Sequence, residues 1–399
     1  MPAPGPDENT DSMLGRALAA PIGGPGLESL ASRARNVVIL IPDATRPAVA
    51  GRVLPSVLEI VRRARSRPAD VAVFIAAGVH SPVSDSAARC LAGQEIPAEI
   101  KVSQNDSRLT SDFAAVGKTR RGTPVMINRR VLGADLRIVI GSVGFHYFAG
   151  MSGGRKMIVP GAATAETVRA NHRLSLTEEG AIHPRCRSGV LDGNPVHEDM
   201  VEGMTLLGGV FLINVILDGR GGVAGYTCGD PVASHLAACR QAAGLLRVPL
   251  ERSCDLAVAS AGGQPFDADL IQTHKSIDHA AESVRDGGVV IALAECARGV
   301  GSETFLPWFD LGTPAEVARK LRTDYQLNGQ TALSLMLKLE RRRIILVSTL
   351  DPGVVRRAGM ISAPGLDEAL AVAEEYVGKD PVTYVIPNAW GILPAVEVQ

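Results

Sequence analysis

The sequence predicts an α/β protein with two Rossmann-like α/β domains and an active site in the cleft between them. Three observations carry this expectation. Apolar runs of strand length recur along the 399 residues, several are rich in Val and Ile without polar alternation, and amphipathic helical stretches separate many of them. Unalternated Val/Ile runs mark strands buried on both faces, as in a parallel sheet. Alternation of strand and helix is the α/β pattern, with right-handed crossovers.

Strands are expected at 37–41, 71–76, 136–140, 210–216, 256–259, 289–293, 343–347 and 383–386, and helices at 50–65, 164–173, 232–246, 274–284, 314–322 and 366–376. Residues 1–20 open with a Pro/Gly-rich, acidic stretch and read as a disordered lead-in. An N-terminal domain is expected over 21–250. A C-terminal domain follows over 254–399, the boundary falling where a helix ends in Val-Pro-Leu-Glu-Arg-Ser. The length suits two domains of ordinary size.

Composition excludes some partners. A hydrophobic content of 46% supplies full cores, and a formal net charge of -1 gives no broad attraction to nucleic acid or an anionic membrane. No apolar run has the length of a membrane span. The N-terminus lacks a basic stretch followed by an apolar one, so no signal peptide is read there. Six dispersed cysteines without a Cys-x-x-Cys pair favour reduced thiols and a cytoplasmic location.

Polar clusters follow the strands, where open α/β sheets bind ligands. After the first comes Asp43-Ala44-Thr45-Arg46-Pro47. Arg46 has the planar fork to grip a carboxylate or phosphate, and Asp43 can orient it. Thr45 reads equally well as a helix N-cap. After the second strand comes Gly78-Val79-His80. His80 and His146 have the ordinary pKa range for acid/base work. The stretch from His146 to Gly161 carries Gly153, Gly154 and Lys156, then a helix bearing His172. It departs from a P-loop, since Arg155 precedes the lysine and Met157 follows it. Lys156 can serve as a phosphate charge, an amine nucleophile or a covalent tether. His172 near a helix C-terminus is also explained by the helix dipole alone. His183 and His197 fall in a loop-rich stretch and read as structural. Gln272 and Lys275, three apart at the head of a helix, share one face. Residues 219–222 read as a turn between strands.

Taken together, these motifs resemble the lactate racemase family of nickel-pincer-nucleotide 2-hydroxyacid racemases and epimerases. The likeness runs from about Pro21 onward. It rests on Pro42 to Pro47, Gly78-Val79-His80, His146 to Gly161 with Asn171-His172, His197-Glu198-Asp199-Met200, and Gly262-Gly263-Gln264-Pro265 with Gln272 and Lys275. The resemblance implies a cofactor, pyridinium-3-thioamide-5-thiocarboxylic acid mononucleotide carrying Ni(II), tethered to Lys156, with His172 as nickel ligand. It implies His80 and His146 as catalytic acid/base residues. Arg46, Gln272, Lys275 and Asp43 would serve at the substrate, and Thr45, Gly153 and Gly154 beside the cofactor.

The implied reaction racemises or epimerises a small, lactate-like 2-hydroxyacid by reversible hydride transfer to the tethered cofactor, and maturation would require cofactor-biosynthesis enzymes. Ile271 and the neighbourhood of Gln330 depart from the family pattern, which leaves the substrate side chain open. The alternatives are a family member running a one-way hydride transfer or a dehydration, or a non-catalytic nucleotide-binding α/β protein.

Overall fold

The structure, a computed structural model, describes residues 10–64, 70–93 and 96–396. Its contacts divide the chain into two units. The first comprises Met1–Gly144, Met151–His172 and Leu191–Leu245; the second comprises Phe145–Gly150, Arg173–Val190 and Leu246–Gln399.

The first unit is built on a six-stranded sheet. Its order is Val223–Gly229, Val210–Leu217, Leu136–Val143, Asn36–Ile41, Asp70–Ile75 and Lys101–Gln104. All neighbours are parallel except the first pair. The chain runs from Asn36–Ile41 outward in one direction, then returns to place Leu136–Val143 on that strand's other side. This reversal creates a topological switch point, the usual binding position of such sheets. The central strands are mostly apolar, as strands buried on both faces are. Arg137 departs from this, and its buried guanidinium donates to the carbonyls of Val131 (2.9 Å), Leu132 (2.6 Å) and Gly208 (3.1 Å). Those acceptors replace water, which removes the main cost of burying it.

The second unit holds a five-stranded, wholly parallel sheet. Its order is Ile361–Ala363, Arg343–Val347, Val284–Leu293, Cys254–Ser260 and Thr383–Ile386. Its switch point lies between Cys254–Ser260 and Thr383–Ile386. One face packs on a core that includes Leu270, Ile277, Phe305, Trp308, Leu321 and Leu335.

Several expectations are corrected. Residues 10–19 form a helix that buries Met13 and Leu14, so the disordered lead-in does not extend over them; residues 1–9 lie outside the described residues. Arg247–Leu250, counted at the end of the N-terminal domain, is a strand of the second unit, paired in parallel with Leu393–Val396. Residues 145–150 and 173–190 group with the second unit although they lie inside 21–250. His197 sits on the helix Pro195–Thr205, capped by Asn194, and not in a loop. Helices at 85–92, 329–341 and 352–357 add to those expected.

Candidate functional site

In the first unit, the turn after Asn36–Ile41 is organised by Asp43. Its Oδ1 accepts from the Thr45 backbone N–H (3.3 Å) and hydroxyl (2.8 Å), and the Arg46 N–H donates to the Asp43 carbonyl (3.1 Å). Thr45 is therefore a turn residue. The following helix, Ala50–Arg63, has Val49 at its N-cap and no side-chain cap. The other Asp43 oxygen, Oδ2, holds Nδ1 of His80, from the loop after the neighbouring strand. Burial alone would raise the Asp43 carboxyl. The hydrogen bond and charge of His80, the Arg46 charge and the Thr45 hydroxyl outweigh it and hold Asp43 far below the usual carboxylate range. Asp43 is thus ionised and only accepts.

The Lys156 segment is fitted closely to the sheet. Gly154 has φ of 50°, and a Cβ there would lie 2.5 Å from the His235 ring. At Gly161 a Cβ would lie 2.4 Å from the Met157 carbonyl and 2.7 Å from Ala76, so only glycine fits. The Gly161 carbonyl accepts from Gly78 N–H (2.8 Å), joining this segment to the His80 loop. Beneath it, fully buried Arg155 donates to the Met151 carbonyl (2.8 Å) and lies 3.0 Å from His235 Nε2.

Lys156 is 6% exposed and His172 is 9% exposed. Burial, with the Lys156 charge behind it, pushes the His172 imidazole down to about 3. The ring is neutral, the form that ligates metal. Its tautomer is fixed from one side. Asn171 Nδ2 donates to the Val196 carbonyl (3.2 Å) and to Asp199 Oδ2 (2.8 Å), which turns Oδ1 toward His172 Nδ1 at 3.2 Å. Nδ1 therefore carries the hydrogen, and Nε2 presents a lone pair. Thr119 in turn donates to Asp199 (2.5 Å). Among the described residues, no three His, Cys, Asp or Glu side chains gather as a metal site. One imidazole does not hold a metal ion alone, so a metal here would have to arrive on a group that supplies its other ligands. A buried amine beside a buried neutral imidazole fits such a group.

In the second unit, His146 lies in a hairpin, Phe145–His146 turning into Gly150–Met151. The Ala149 N–H donates to His146 Nδ1 (3.3 Å), closing the turn on the side chain. The His146 ring stacks on Tyr147 at 5.2 Å between centroids and 12° between planes, with Phe148 edge-on at 4.7 Å. Tyr147 is anchored by Thr331 (2.7 Å), and burial raises its phenol. Gln330 accepts from Tyr325 (2.7 Å). The helix Leu270–Ala281 is capped by Asp269, which accepts from Gln272 N–H (2.9 Å). Lys275 Nζ then donates to Gln272 Oε1 (2.5 Å), so these two share one face as expected. Phe266, in the loop after Cys254–Ser260, stacks on Trp390 at 3.7 Å.

The structure thus gathers Asp43, Thr45, Arg46 and His80 in one cluster, and brings Lys156 and His172 near each other. Gln272 pairs with Lys275. His146 belongs to the second unit, where an N-terminal-domain position was expected. His183 is half-buried, its Nδ1 accepting from Arg185 N–H (3.2 Å), while His197 is buried near His235. The supports of His172 and His146, namely Thr119, Asp199, Ala149 and Tyr147, had no assigned role in the sequence. The Asn171-His172 pair with Asp199 downstream was the one available signal.

The two domain families of lactate racemase cover these elements. The lactate racemase N-terminal domain matches residues 2–183 and the lactate racemase C-terminal domain matches residues 250–393. A lactate racemase of Thermoanaerobacterium thermosaccharolyticum is 30% identical over 96% of this chain and 90% of its own. One from Lactiplantibacillus plantarum is 32% identical over 95% and 89%. The solved lactate racemase apoprotein from the first organism superposes with a TM-score of 0.89, covering 96% of this chain and 92% of that one. A Thermotoga maritima protein at 15% identity shares the fold alone, with a TM-score of 0.71 over 93% and 97% of the two chains. An α/β isomerase is the class these matches define. The chain belongs to the lactate racemase family.

Proposed function

We propose that this chain racemises or epimerises a small 2-hydroxyacid, lactate in the first instance, using a nickel-pincer nucleotide attached to Lys156. The observation that carries the proposal is the buried Lys156 amine near a buried, neutral His172 ring whose Nδ1 is held by Asn171, itself turned by Asp199. Family membership at both ends of the chain supports it. When bound, the cofactor supplies an acceptor and donor of hydride, the hard part of the chemistry. Nickel would be held at His172, with Thr45, Gly153 and Gly154 beside the nucleotide.

The chain's own residues do the rest. Arg46 binds the substrate carboxylate through its planar fork, with Gln272 and Lys275 as further contacts. Asp43 fixes the His80 ring. His80 and His146 handle the hydroxyl proton as general acid and base. Maturation would need enzymes that build and load the cofactor. The six cysteines are free thiols, which supports the expected cytoplasmic location.

The test is a pure 2-hydroxyacid enantiomer given to chain co-expressed with the cofactor-building enzymes. Appearance of the opposite enantiomer is expected, together with added mass on Lys156. A loaded chain that instead makes only a 2-oxoacid or a dehydrated product would overturn the racemase reading.

A further inference from the structure

The first unit carries a groove that the proposed chemistry does not use. It holds about 680 Å³ and is lined by the helix Pro195–Thr205, the start of the helix Ala233–Leu246 and the turn between Phe113–Lys118 and Pro124–Asn128. Gly122 N–H closes that turn on the Thr119 carbonyl (2.9 Å), with Arg120 and Arg121 side by side between them. Both arginines meet glutamates of the first helix, whose carboxylates also serve the backbone. Glu202 accepts from the Arg120 N–H (3.0 Å) and Glu198 from the Gly193 N–H (2.9 Å). Arg121 spends one nitrogen on Glu198 at 2.6 Å, and Arg120 comes no nearer than 3.7 Å to Glu202 with its guanidinium. A guanidinium has five N–H donors, so both keep donors to spend.

His197 is the inner polar group of the groove. It is 8% exposed, and its Nδ1 is sealed from solvent without a hydrogen-bond partner among the described residues. Burial first, then the Arg155 charge, push the ring down to about 3, so it is neutral and carries one hydrogen. Buried N–H groups without a partner are rarer than buried lone pairs without one. The hydrogen therefore sits on Nε2, the nitrogen left to the groove. The rest of the wall is apolar, with Val201, Val232 and Leu236. We propose that this groove binds a carboxylate with an apolar tail, the carboxylate taking donors from Arg120, Arg121 and His197 Nε2 and the tail lying on Val201, Val232 and Leu236. The glutamates offset the arginine charges, so selection comes from unspent donors and not from net charge. A guanidinium fork orients the carboxylate, and burial of the tail supplies affinity. The volume falls among small-molecule sites, roughly 300–1,000 Å³. The site does not depend on the catalytic reading.

The test is calorimetric titration of the full chain at neutral pH with octanoate, octan-1-ol and octylammonium, three probes that share a tail and differ in the head. Octanoate should saturate one site and bind at least about tenfold tighter than the alcohol, the effect of hydrogen bonds to a charged group. Octylammonium should bind no better than the alcohol. Changing Arg120→Gln and Arg121→Gln together should weaken octanoate about tenfold and leave the alcohol unchanged. These side chains are exposed at 94% and 42%, so the fold survives their loss. His197→Phe keeps a ring and removes its donor, and should weaken octanoate about threefold or more. Arg46→Gln, at the proposed substrate site, should change nothing here. The proposal is overturned if octanoate shows no saturable binding, if the alcohol binds as tightly, or if the paired arginine variant binds octanoate like wild type. Loss of binding in Arg46→Gln would overturn it as well, because the carboxylate would then sit at the substrate residues.

Discussion

Lys156 and His172 of the first unit sit on a framework finished in advance, whereas Gln272 and Lys275 of the second unit lean on one another. Around Lys156 and His172, supports come from the sheet, from Asn171 with Asp199 and Thr119, and from buried Arg155 with His235. In the second unit, Gln272 and Lys275 satisfy each other at 2.5 Å, a contact that a bound carboxylate would replace. On the proposed function, the difference separates a region prepared for a resident cofactor from one prepared for a transient substrate. Preorganisation by outer-sphere partners is the usual mark of a site for a resident metal or cofactor.

The sharpest break of this comparison is Lys156→Ala against Lys275→Ala. The first should abolish covalent loading, read as a loss of the added mass. The second should load like wild type and weaken substrate binding. Equal loading in both would remove the distinction between the two regions. Next in size is Asn171→Leu, which frees the His172 ring. Nickel affinity should fall about 10- to 100-fold, measured by metal content after chelator dialysis. Thr331→Val, at the Tyr147 anchor of the second unit, should leave it unchanged.

A smaller effect concerns pH and should involve both units alike. His172 in the first and His274 in the second are each pushed by burial to about 3, from an ordinary 6.5. Their folded values are depressed, so below about pH 6.5 the unfolded chain binds protons that the folded chain refuses. Stability should therefore be full above that pH and fall steadily as pH drops toward 3. Asp43 adds to the fall only below its unfolded value of 3.8, since its folded value is also depressed. Urea unfolding of cofactor-free protein at pH 7 and pH 5 checks this. A midpoint that is level or higher at pH 5 would contradict the burial of neutral rings.

The sheet strands were legible because burial on both faces leaves continuous Val/Ile runs, as in Asn36–Ile41 and Leu136–Val143. Lys101–Gln104 was not, since an edge strand can be polar and Lys-Val-Ser-Gln has no strand signature. Arg247–Leu250 and Leu393–Val396 each contain a proline, which argues against a strand until the partner is known. The helix Gly329–Arg341 starts from a left-handed Asn328 without a side-chain cap, so it has no start signal. At the site, Asp43, His80, Lys156 and His172 were singled out through the motifs shared with the lactate racemase family, since residue type and spacing alone left bland readings open for His80 and His172. What could not be read is who holds each ring nitrogen. That depends on a backbone N–H three residues on for His146, on Asp43, 37 residues back, for His80, and for His172 on the adjacent Asn171, whose amide is turned by the distant Asp199. The placement of His146 in the second unit likewise depends on the path of the chain.

The hairpin turn closed by Ala149 on His146 has a consequence that concerns equilibrium. Mirror-image substrates with one stereocentre have equal free energies, so the two directions must have equal kcat/KM, in wild type and in every variant. An asymmetric site cannot make such a catalyst favour one product. Any inequality it creates must appear as a matched change in kcat and KM between directions. What the turn can set is which enantiomer occupies the protein longer during steady turnover, and hence which of the two would be the better inhibitor of the other's conversion.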